Sequence, residues 1–261
     1  MKKTDVSVCI VDFRTSAETS EAVRSLEEHT DPALSKHIYL IDNAACLDGP
    51  DAALRSLARS YPDVSVHTAK KNLGYGRANN LVLRHLASKY HVIMNPDVIL
   101  TEDSLRLLYD FMESRPSCAM AIPRLVGAGG TLLPVYRQDP TVLDLFARRF
   151  APRLLRRRTQ AHSLADRDYS KPFSVPFAQG SFLIVRTDLL KEAGGFDPRF
   201  FMYMEDADLC RRIRERGELL YTPVTTVCHS WRQGSKNNPR LFMIHVVSIF
   251  RYFRKWGFRW L

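Results

Sequence analysis

Acid is in short supply in this sequence: 28 Asp and Glu stand against 38 Lys and Arg, a formal net charge of +10 over 261 residues. Such a balance points to anionic partners, whether phosphates, nucleic acid or an acidic membrane surface. It also makes any local gathering of carboxylates informative. Cysteine pairing is absent as well. The five cysteines (Cys9, Cys46, Cys118, Cys210, Cys228) are odd in number and widely spaced, with no C-x-x-C. That pattern excludes a zinc ribbon and a disulfide framework, and reads as a reduced, cytosolic chain. No apolar run is long enough to span a bilayer. The apolar run in "MKKTDVSVCIVDF" is too short for a secretory signal and is interrupted by Asp12. Repeats and low-complexity linkers are missing, so no clear domain boundary shows. The expectation is a cytoplasmic protein, soluble or peripheral on the inner face of the cell membrane.

What is present suits a globular protein. Hydrophobic residues make up 45% and charged residues 25%, and the length fits one large domain with a substantial core. "VSVCIV", "HIYLID", "VSVHT" and "HVIMNPDVIL" read as strands, with helices over about 16–28 and 52–59 between them. "NLGYGRANNLVLRHLAS" reads as a Gly-bearing loop running into a helix, and Thr101 as the cap of a helix ending near Glu113. Strands alternating with helices predict βαβ units on a mostly parallel, Rossmann-like sheet. Ligands on such sheets bind beyond the carboxyl ends of the strands, where Asp12, Asp42 and Asp97 fall.

Three stretches have the residue types for chemistry. In "MNPDV", Asp97 follows Pro96 at a strand end, and a lone carboxylate suits Mg²⁺ or Mn²⁺ when a diphosphate supplies the other oxygens. The same stretch also reads as an ordinary Asn-Pro-Asp turn. In "NLGYGRANN", Gly74 and Gly76 would let backbone approach a phosphate, with Arg77 adding charge. No G-K-[ST] follows and Asn79 stands where a third glycine would, so neither a P-loop nor a dinucleotide fingerprint is present; a plain strand-to-helix turn fits equally. "FMYMEDADLCRR" gathers Glu205, Asp206 and Asp208 in four positions. A helix start explains them through the dipole and through Asp208 spaced for surface ion pairs with Arg211 and Arg212. It leaves unexplained the aromatic and Met residues just before, which would desolvate a carboxylate and raise its basicity. His229 ends another β-branched run, and reads as a satisfied core residue or a ligand.

Taken in order from Val6 to about Ser235, these pieces resemble the family 2 inverting glycosyltransferases, which have a GT-A-type fold. "VSVCIVDF", "IYLIDNAACLDG", "NLGYGRANN" and "MNPDV" match its nucleotide-binding segments, the last standing where the D-x-D motif sits. "QGSFLIVRTDLLKEAGGFDPRFFMYMEDADLCRR" is similar to its acceptor-side block, and "HSWRQGS" to the element after it. The resemblance implies roles. Phe13 would stack on the base and Asp42 hydrogen-bond base or ribose, with Arg77 near the base or diphosphate. Asn72, Gly74, Asn80 and Asn95 would join the nucleotide-sugar site. Asp97 would hold Mg²⁺ or Mn²⁺, with His229 as a second ligand. Asp206, with Glu205 beside it, would take the proton of the acceptor hydroxyl. Two departures stand out: Asp12 and Arg14 replace the asparagines of the family's "VNYN", and Asn95 replaces the first Asp of D-x-D. The Asn-Pro-Asp variant resembles members that transfer rhamnose from dTDP-rhamnose in O-antigen, lipopolysaccharide and related polysaccharide synthesis. A UDP-sugar is the other donor considered, and the acceptor would be a saccharide or polyprenyl-linked.

The implied organisation is a transferase domain over 1–239, with a nucleotide half (about 1–125) and an acceptor half (about 126–239), then a basic amphipathic helix over 240–261. In that helix Phe242, Val246, Ile249, Phe253 and Trp256 share a face, and Arg251, Arg254 and Lys255 lie largely opposite. It either rests on an anionic membrane or docks on the domain, and the cluster Arg148 to Arg158 suits both. Two other readings compete. A sugar nucleotidyltransferase would open with a "GxGTR"-like loop, where this chain has "VDFRTS". A degenerate basic binding module explains the charge but not the acids, and no nucleic-acid partner is expected.

Overall fold

The computed structural model describes residues 4–150, 153–230 and 238–260, without the side chains of 128 and 148–150. β1 (Val6–Asp12) is buried along its whole length, as a mostly apolar, β-branched run suits when strands flank it on both sides. β2 (Lys36–Asp42), β3 (Val64–Thr68) and β4 (Tyr90–Met94) join it in a parallel set ordered β3-β2-β1-β4. Helices Ser16–His29 and Ala52–Ser60 cross over between the first three strands. The register pairs Asp12 with Asp42, and Asp42 with Thr68, so these strands end together on one edge.

The later strands are β5 (Val98–Leu100), β6 (Cys118–Val126), β7 (Tyr136–Arg137), β8 (Phe173–Ser174), β9 (Phe177–Ala178), β10 (Phe182–Arg186) and β11 (Glu218–His229). The main sheet runs β3-β2-β1-β4-β10-β6-β11-β5, with β8 also on β11, while β7 and β9 form a separate pair. β10 is antiparallel to both its neighbours, and β5 and β8 are antiparallel to β11. The remaining strands, β1 to β4, β6 and β11, all run in one direction. The fold is therefore the expected α/β sheet, mixed but mostly parallel, with helices flanking it.

The link between β4 and β5 requires the sheet to curl. In a flat sheet β5 would lie about 19 Å from β4, four strand spacings away. The chain from Met94 to Val98 reaches about 14 Å at most. Pro96 lies in that link. It removes a donor from the ladder, so "HVIMNPDVIL", expected as one strand, becomes two, β4 within the sheet and β5 at its edge, four places apart in the strand order.

Other local expectations are corrected. The helix after "NLG" is only Tyr75–Asn79. Asn80 then exchanges two hydrogen bonds with the Phe196 backbone, at 2.7 and 2.9 Å, and turns the chain away from a longer helix. The helix Ser104–Glu113 is capped by Asp103, which accepts from the Arg106 N–H at 3.1 Å, and not by Thr101. Asp208 is no surface partner: it is fully buried, and pairs with Arg212 at 2.8 Å and Lys255 at 2.5 Å.

The C-terminal helix spans Pro239–Trp256 and docks on the domain. Tyr252 and Phe253 are buried, and Ile249 and Trp256 pack on the core. Val246, expected on the same face, lies instead among exposed Met243, Val247 and Phe250. The segment leading into the basic cluster joins this tail, since the N–H groups of Val142 and Leu143 donate to the carbonyls of Arg259 and Trp260. Among the described residues no helix is long and apolar enough to cross a membrane.

Candidate active site

Strand pairing brings Asp97 to His229. β5 and β11 run antiparallel with Val98 opposite His229, and the Ser230 N–H donates to the Asp97 carbonyl at 3.1 Å. His229 Nε2 then lies 3.2 Å from Asp97 Oδ1, with His229 buried and the Asp97 side chain 15% exposed. Nδ1 of His229 is buried without a hydrogen-bond partner among the described residues. One carboxylate oxygen and one imidazole at a partly open edge fit a divalent ion that takes few protein ligands and draws the rest from phosphate oxygens and water. A cage of three or more His, Cys, Asp or Glu side chains is absent among the described residues. The rest of "HSWRQGS" beyond Ser230 lies outside them.

Glu205 and Asp206 open the helix Glu205–Arg214. The two residues before them, Tyr203 and Met204, both have positive φ (69° and 66°) without being glycine. Each such residue costs on the order of 1 kcal/mol or more, so the surrounding structure must hold the loop. Ser248 of the C-terminal helix does so by donating to the Met202 carbonyl at 2.7 Å, and the Tyr203 ring lies against His245 at 4.7 Å. Asp206 accepts from the N–H groups of Gly180 (3.2 Å) and Ala207 (2.8 Å). Burial raises its carboxyl above the ordinary aspartate range, against the pull of those donors and of Arg137. Glu205 is 5% exposed, and its Oε2 has no donor among the described residues. Burial first, then the Asp206 charge, holds Glu205 well above the ordinary glutamate range.

A feature the residue-by-residue reading missed joins the two clusters. Gly180 and Ser181 stand between them: the Asn95 N–H donates to the Ser181 carbonyl at 2.8 Å, and the Gly180 N–H to Asp206. The Tyr75 hydroxyl donates to the Gly180 carbonyl at 2.7 Å. Three motifs thus converge on "QGS". A Cβ on Gly180 would lie 3.3 Å from Asp206 Cβ. Ser181 Oγ is buried with no partner among the described residues. The signal was there in the quoted "QGSFLIVR", but nothing local said what its backbone would bond.

The other expected residues have definite places. Phe13 is exposed, with the Arg14 guanidinium 5.8 Å from its ring centre, and Arg14 forks onto Asp48 at 2.7 and 2.9 Å. Asp42 is buried and accepts from the N–H groups of Ala44 (3.3 Å) and Asp51 (2.8 Å). Asn72 accepts from the Gly74 N–H at 2.9 Å and from Asn43, whose own oxygen takes the Leu73 N–H. Arg77 donates to the Leu73 carbonyl and lies over Phe201. Gly74 has φ +74°, and a Cβ there would meet the Phe201 carbonyl oxygen. One on Gly76 would come within 2.8 Å of Phe196. Close packing against the "GGFDPRFF" loop alone therefore requires both glycines.

With that geometry in hand, comparison with known proteins decides the family. The family model described as glycosyl transferase family 2 matches residues 7–194. The chain belongs to glycosyl transferase family 2. Its match ends before Glu205, so the roles of Glu205, Asp206 and His229 rest on geometry and motif. The glycosyltransferase is 29% identical over 218 residues to an N-acetylglucosaminyl-diphospho-decaprenol L-rhamnosyltransferase of Mycobacterium tuberculosis, covering 77% of this chain and 69% of that one. It is 27% identical over 188 residues to the rhamnosyltransferase WbbL of Escherichia coli, covering 69% of each. Among solved structures, GalNAc-T7 with UDP, GalNAc and Mn²⁺ superposes with a TM-score of 0.70 at 15% identity. That match covers 97% of this chain, which spans about half (48%) of the GalNAc-T7 chain. The mannosyltransferase PcManGT of Pyrobaculum calidifontis, with GDP-Man and Mn²⁺, gives 0.63 at 15% identity over 98% of this chain and 64% of that one. At such identity these structures establish the shared fold.

Proposed function

We propose that this glycosyltransferase moves L-rhamnose from dTDP-rhamnose onto a lipid-linked saccharide, with inversion and with a divalent ion at Asp97 and His229. The observation that carries the reading is the convergence of "NPD", "NLGYG" and the Glu205–Asp206 turn on Gly180 and Ser181. The curated rhamnosyltransferase relatives supply the sugar, and the diphospho-decaprenol in one of their names supplies the acceptor class. A UDP-sugar is the competing donor.

A single displacement at an anomeric carbon needs an attacking hydroxyl relieved of its proton and a leaving diphosphate whose charge is offset. Asp206 takes the proton: it is partly exposed, its Oδ2 is oriented by Gly180, and burial has raised its basicity. Glu205, buried with no donor to Oε2 among the described residues, holds its own proton more tightly and leaves the neighbouring charge to Asp206. Mg²⁺ or Mn²⁺ at Asp97 and His229 would offset charge on the departing diphosphate; Mn²⁺ accompanies the nucleotide in both structural neighbours above. Arg77 and Phe13 border the donor side.

The test is thermal denaturation with dTDP, UDP or GDP, each with and without Mn²⁺, on the wild type and on Asp97→Ala. A hundredfold excess of ligand over Kd stabilises a fold by about 2.7 kcal/mol, which is several degrees in Tm. Metal-dependent stabilisation by dTDP in the wild type alone is the expected outcome. Stabilisation by UDP instead reassigns the donor, and a shift unaltered by Asp97→Ala removes the metal site.

A further inference from the structure

Arg199, Phe200, Arg251, Arg254 and Lys255 line a cavity of about 460 Å³ between the "GGFDPRFF" loop and the C-terminal helix. Four cations around one space repel each other unless anions offset them. Two carboxylates are at hand. Asp197 pairs with Arg199 at 2.5 Å and Lys255 at 2.8 Å, which holds its carboxyl well below the ordinary range. Asp208 is shared between Lys255 and Arg212. Arg251 donates to the Arg199 carbonyl, an uncharged acceptor. Arg254 is exposed, with no ion-pair partner among the described residues. Positive charge is therefore in excess at the cavity, and two of its guanidinium groups lack a carboxylate. Guanidinium forks match phosphate oxygens in geometry as well as charge.

The setting of the cavity says what carries the phosphate. Met243, Val246, Val247 and Phe250 are 57, 40, 43 and 57% exposed and recur at the spacing of one helical face. Arg254 follows Phe250 by four residues, on that same face. Phe258 and Trp260, 50 and 67% exposed, extend the apolar surface past the helix end. The opposite side of the helix is already occupied by the domain, through Ser248 and Tyr252, and Phe253 beside the stripe is buried as well. A helix docked by one face, with an outward stripe of large apolar residues ending in uncompensated arginines, suits the boundary between acyl chains and headgroups. The same helix grips the chain on both sides of the proposed base, through Ser248 on Met202 before it and through Lys255 and Trp256 on Asp208 after it.

We propose that this cavity binds the phosphate or diphosphate of a lipid-borne molecule while the stripe beside it rests in the bilayer surface. Resting on the lipid-linked acceptor reading above, the site holds the acceptor's phosphate beside the loop that presents Asp206.

The test uses the full chain without divalent metal, so that the Asp97 site does not contribute. Pyrophosphate is titrated calorimetrically, and sedimentation is measured with phosphatidylcholine vesicles that contain or lack a polyprenyl phosphate. Arg251→Ala with Arg254→Ala is expected to weaken pyrophosphate binding by about tenfold or more. The same pair should reduce the preference for polyprenyl-phosphate vesicles by roughly fivefold per arginine. Val247→Ser with Phe250→Ser is expected to leave pyrophosphate binding unchanged and reduce sedimentation with both vesicle types. All four side chains are exposed, so the variants keep the fold. Pyrophosphate affinity unaltered by the arginine pair overturns the cavity as the anion site. Pyrophosphate binding with no preference for polyprenyl-phosphate vesicles makes the ligand a free phosphate and overturns the lipid source. The nucleotide shift that depends on Asp97 reads the transferase separately: its loss, with phosphate binding intact, defeats that reading alone.

Discussion

Asp12 and Asp42, on the donor side, end adjacent strands in register, just as Asp97 follows the end of β4. By position alone these three acids are equivalent, and the acceptor-side pair Glu205 and Asp206 sits in no more unusual a place at a helix start. Their surroundings separate them. Asp12 accepts from the Thr15 N–H and from the hydroxyls of Thr15 and Thr19, at 3.4, 3.1 and 2.7 Å, and ties down the entry to the first helix. Asp42 spends an oxygen on each of two loop N–H groups. Asp97, by contrast, faces a histidine whose second nitrogen is unpartnered among the described residues, and across the site Glu205 keeps a buried oxygen with no donor among them. Beside Glu205 the backbone is strained. Fully satisfied acids hold loops in place, whereas unsatisfied acids on a strained support have capacity left for substrate. The useful distinction among these acids is therefore their surroundings, burial without a donor at Glu205 and a half-partnered histidine at Asp97, which strand-end position does not report.

The largest test of that contrast is Asp206→Asn. The substitution keeps an oxygen toward the Gly180 N–H and removes the proposed base, so kcat should fall by about 10²–10⁴-fold, with Tm and metal-dependent nucleotide binding near wild type. Assays of transfer and of thermal shift on one preparation check it. Equal loss of nucleotide binding would make Asp206 a structural acid like Asp12. Next in size is Asp208→Ala, on the same helix but fully buried beneath Arg212, Lys255 and the Trp256 indole. Removing one partner of a buried ion pair costs about 3–5 kcal/mol. Denaturant unfolding should show that loss, and limited proteolysis should cut near the C-terminal helix.

How much of this was legible beforehand follows from the range of the interactions involved. Asp97, Glu205 and Asp206 stood out because motif order and residue type are local. The parallel half of the sheet was legible for the same reason: "VSVCIV" and "HIYLID" are short, mostly apolar runs bounded by turns. The split of "HVIMNPDVIL" was signalled by Pro96, but its consequence depends on which strand β5 pairs with, a contact between residues far apart in sequence. Asp208 was misread because an i to i+4 spacing with arginine looks the same on a surface as beneath a helix that arrives some fifty positions later. Gly74 and Gly76 looked like a phosphate cradle because backbone freedom is legible in glycine, whereas its immediate cause, the approach of Phe201 and Phe196, is not.

A smaller effect tests the satisfied side of the comparison. Asp12→Ala strands the Thr15 and Thr19 donors near a buried position, at a cost of about 1–3 kcal/mol. Transfer per folded molecule should be unchanged, as measured below the lowered Tm. A specific loss of kcat would move Asp12 into the site and erase the contrast between the two sides.

The smallest expected effect has the opposite sign, and arises where the acceptor side is least satisfied. Burial and the neighbouring Asp206 hold the Glu205 carboxyl well above its ordinary range. In the unfolded chain Glu205 loses its proton at an ordinary glutamate pKa, while the folded chain still retains it. Folding therefore takes up a proton between the two values, and stability contributed by the protonated form is lost as pH rises toward the folded pKa. Glu205→Gln keeps the shape and a neutral group without that penalty. Its Tm should exceed the wild type by a few degrees near neutral pH, and the two should draw together as pH falls to the ordinary glutamate range. Glutamine is neutral beside Asp206, as the protonated Glu205 is, so the acid limb of kcat/KM should stay in place in the variant. A Tm difference that does not vary with pH would mean that Glu205 is already ionised in the folded chain, and would place the two carboxylates on an equal footing as bases.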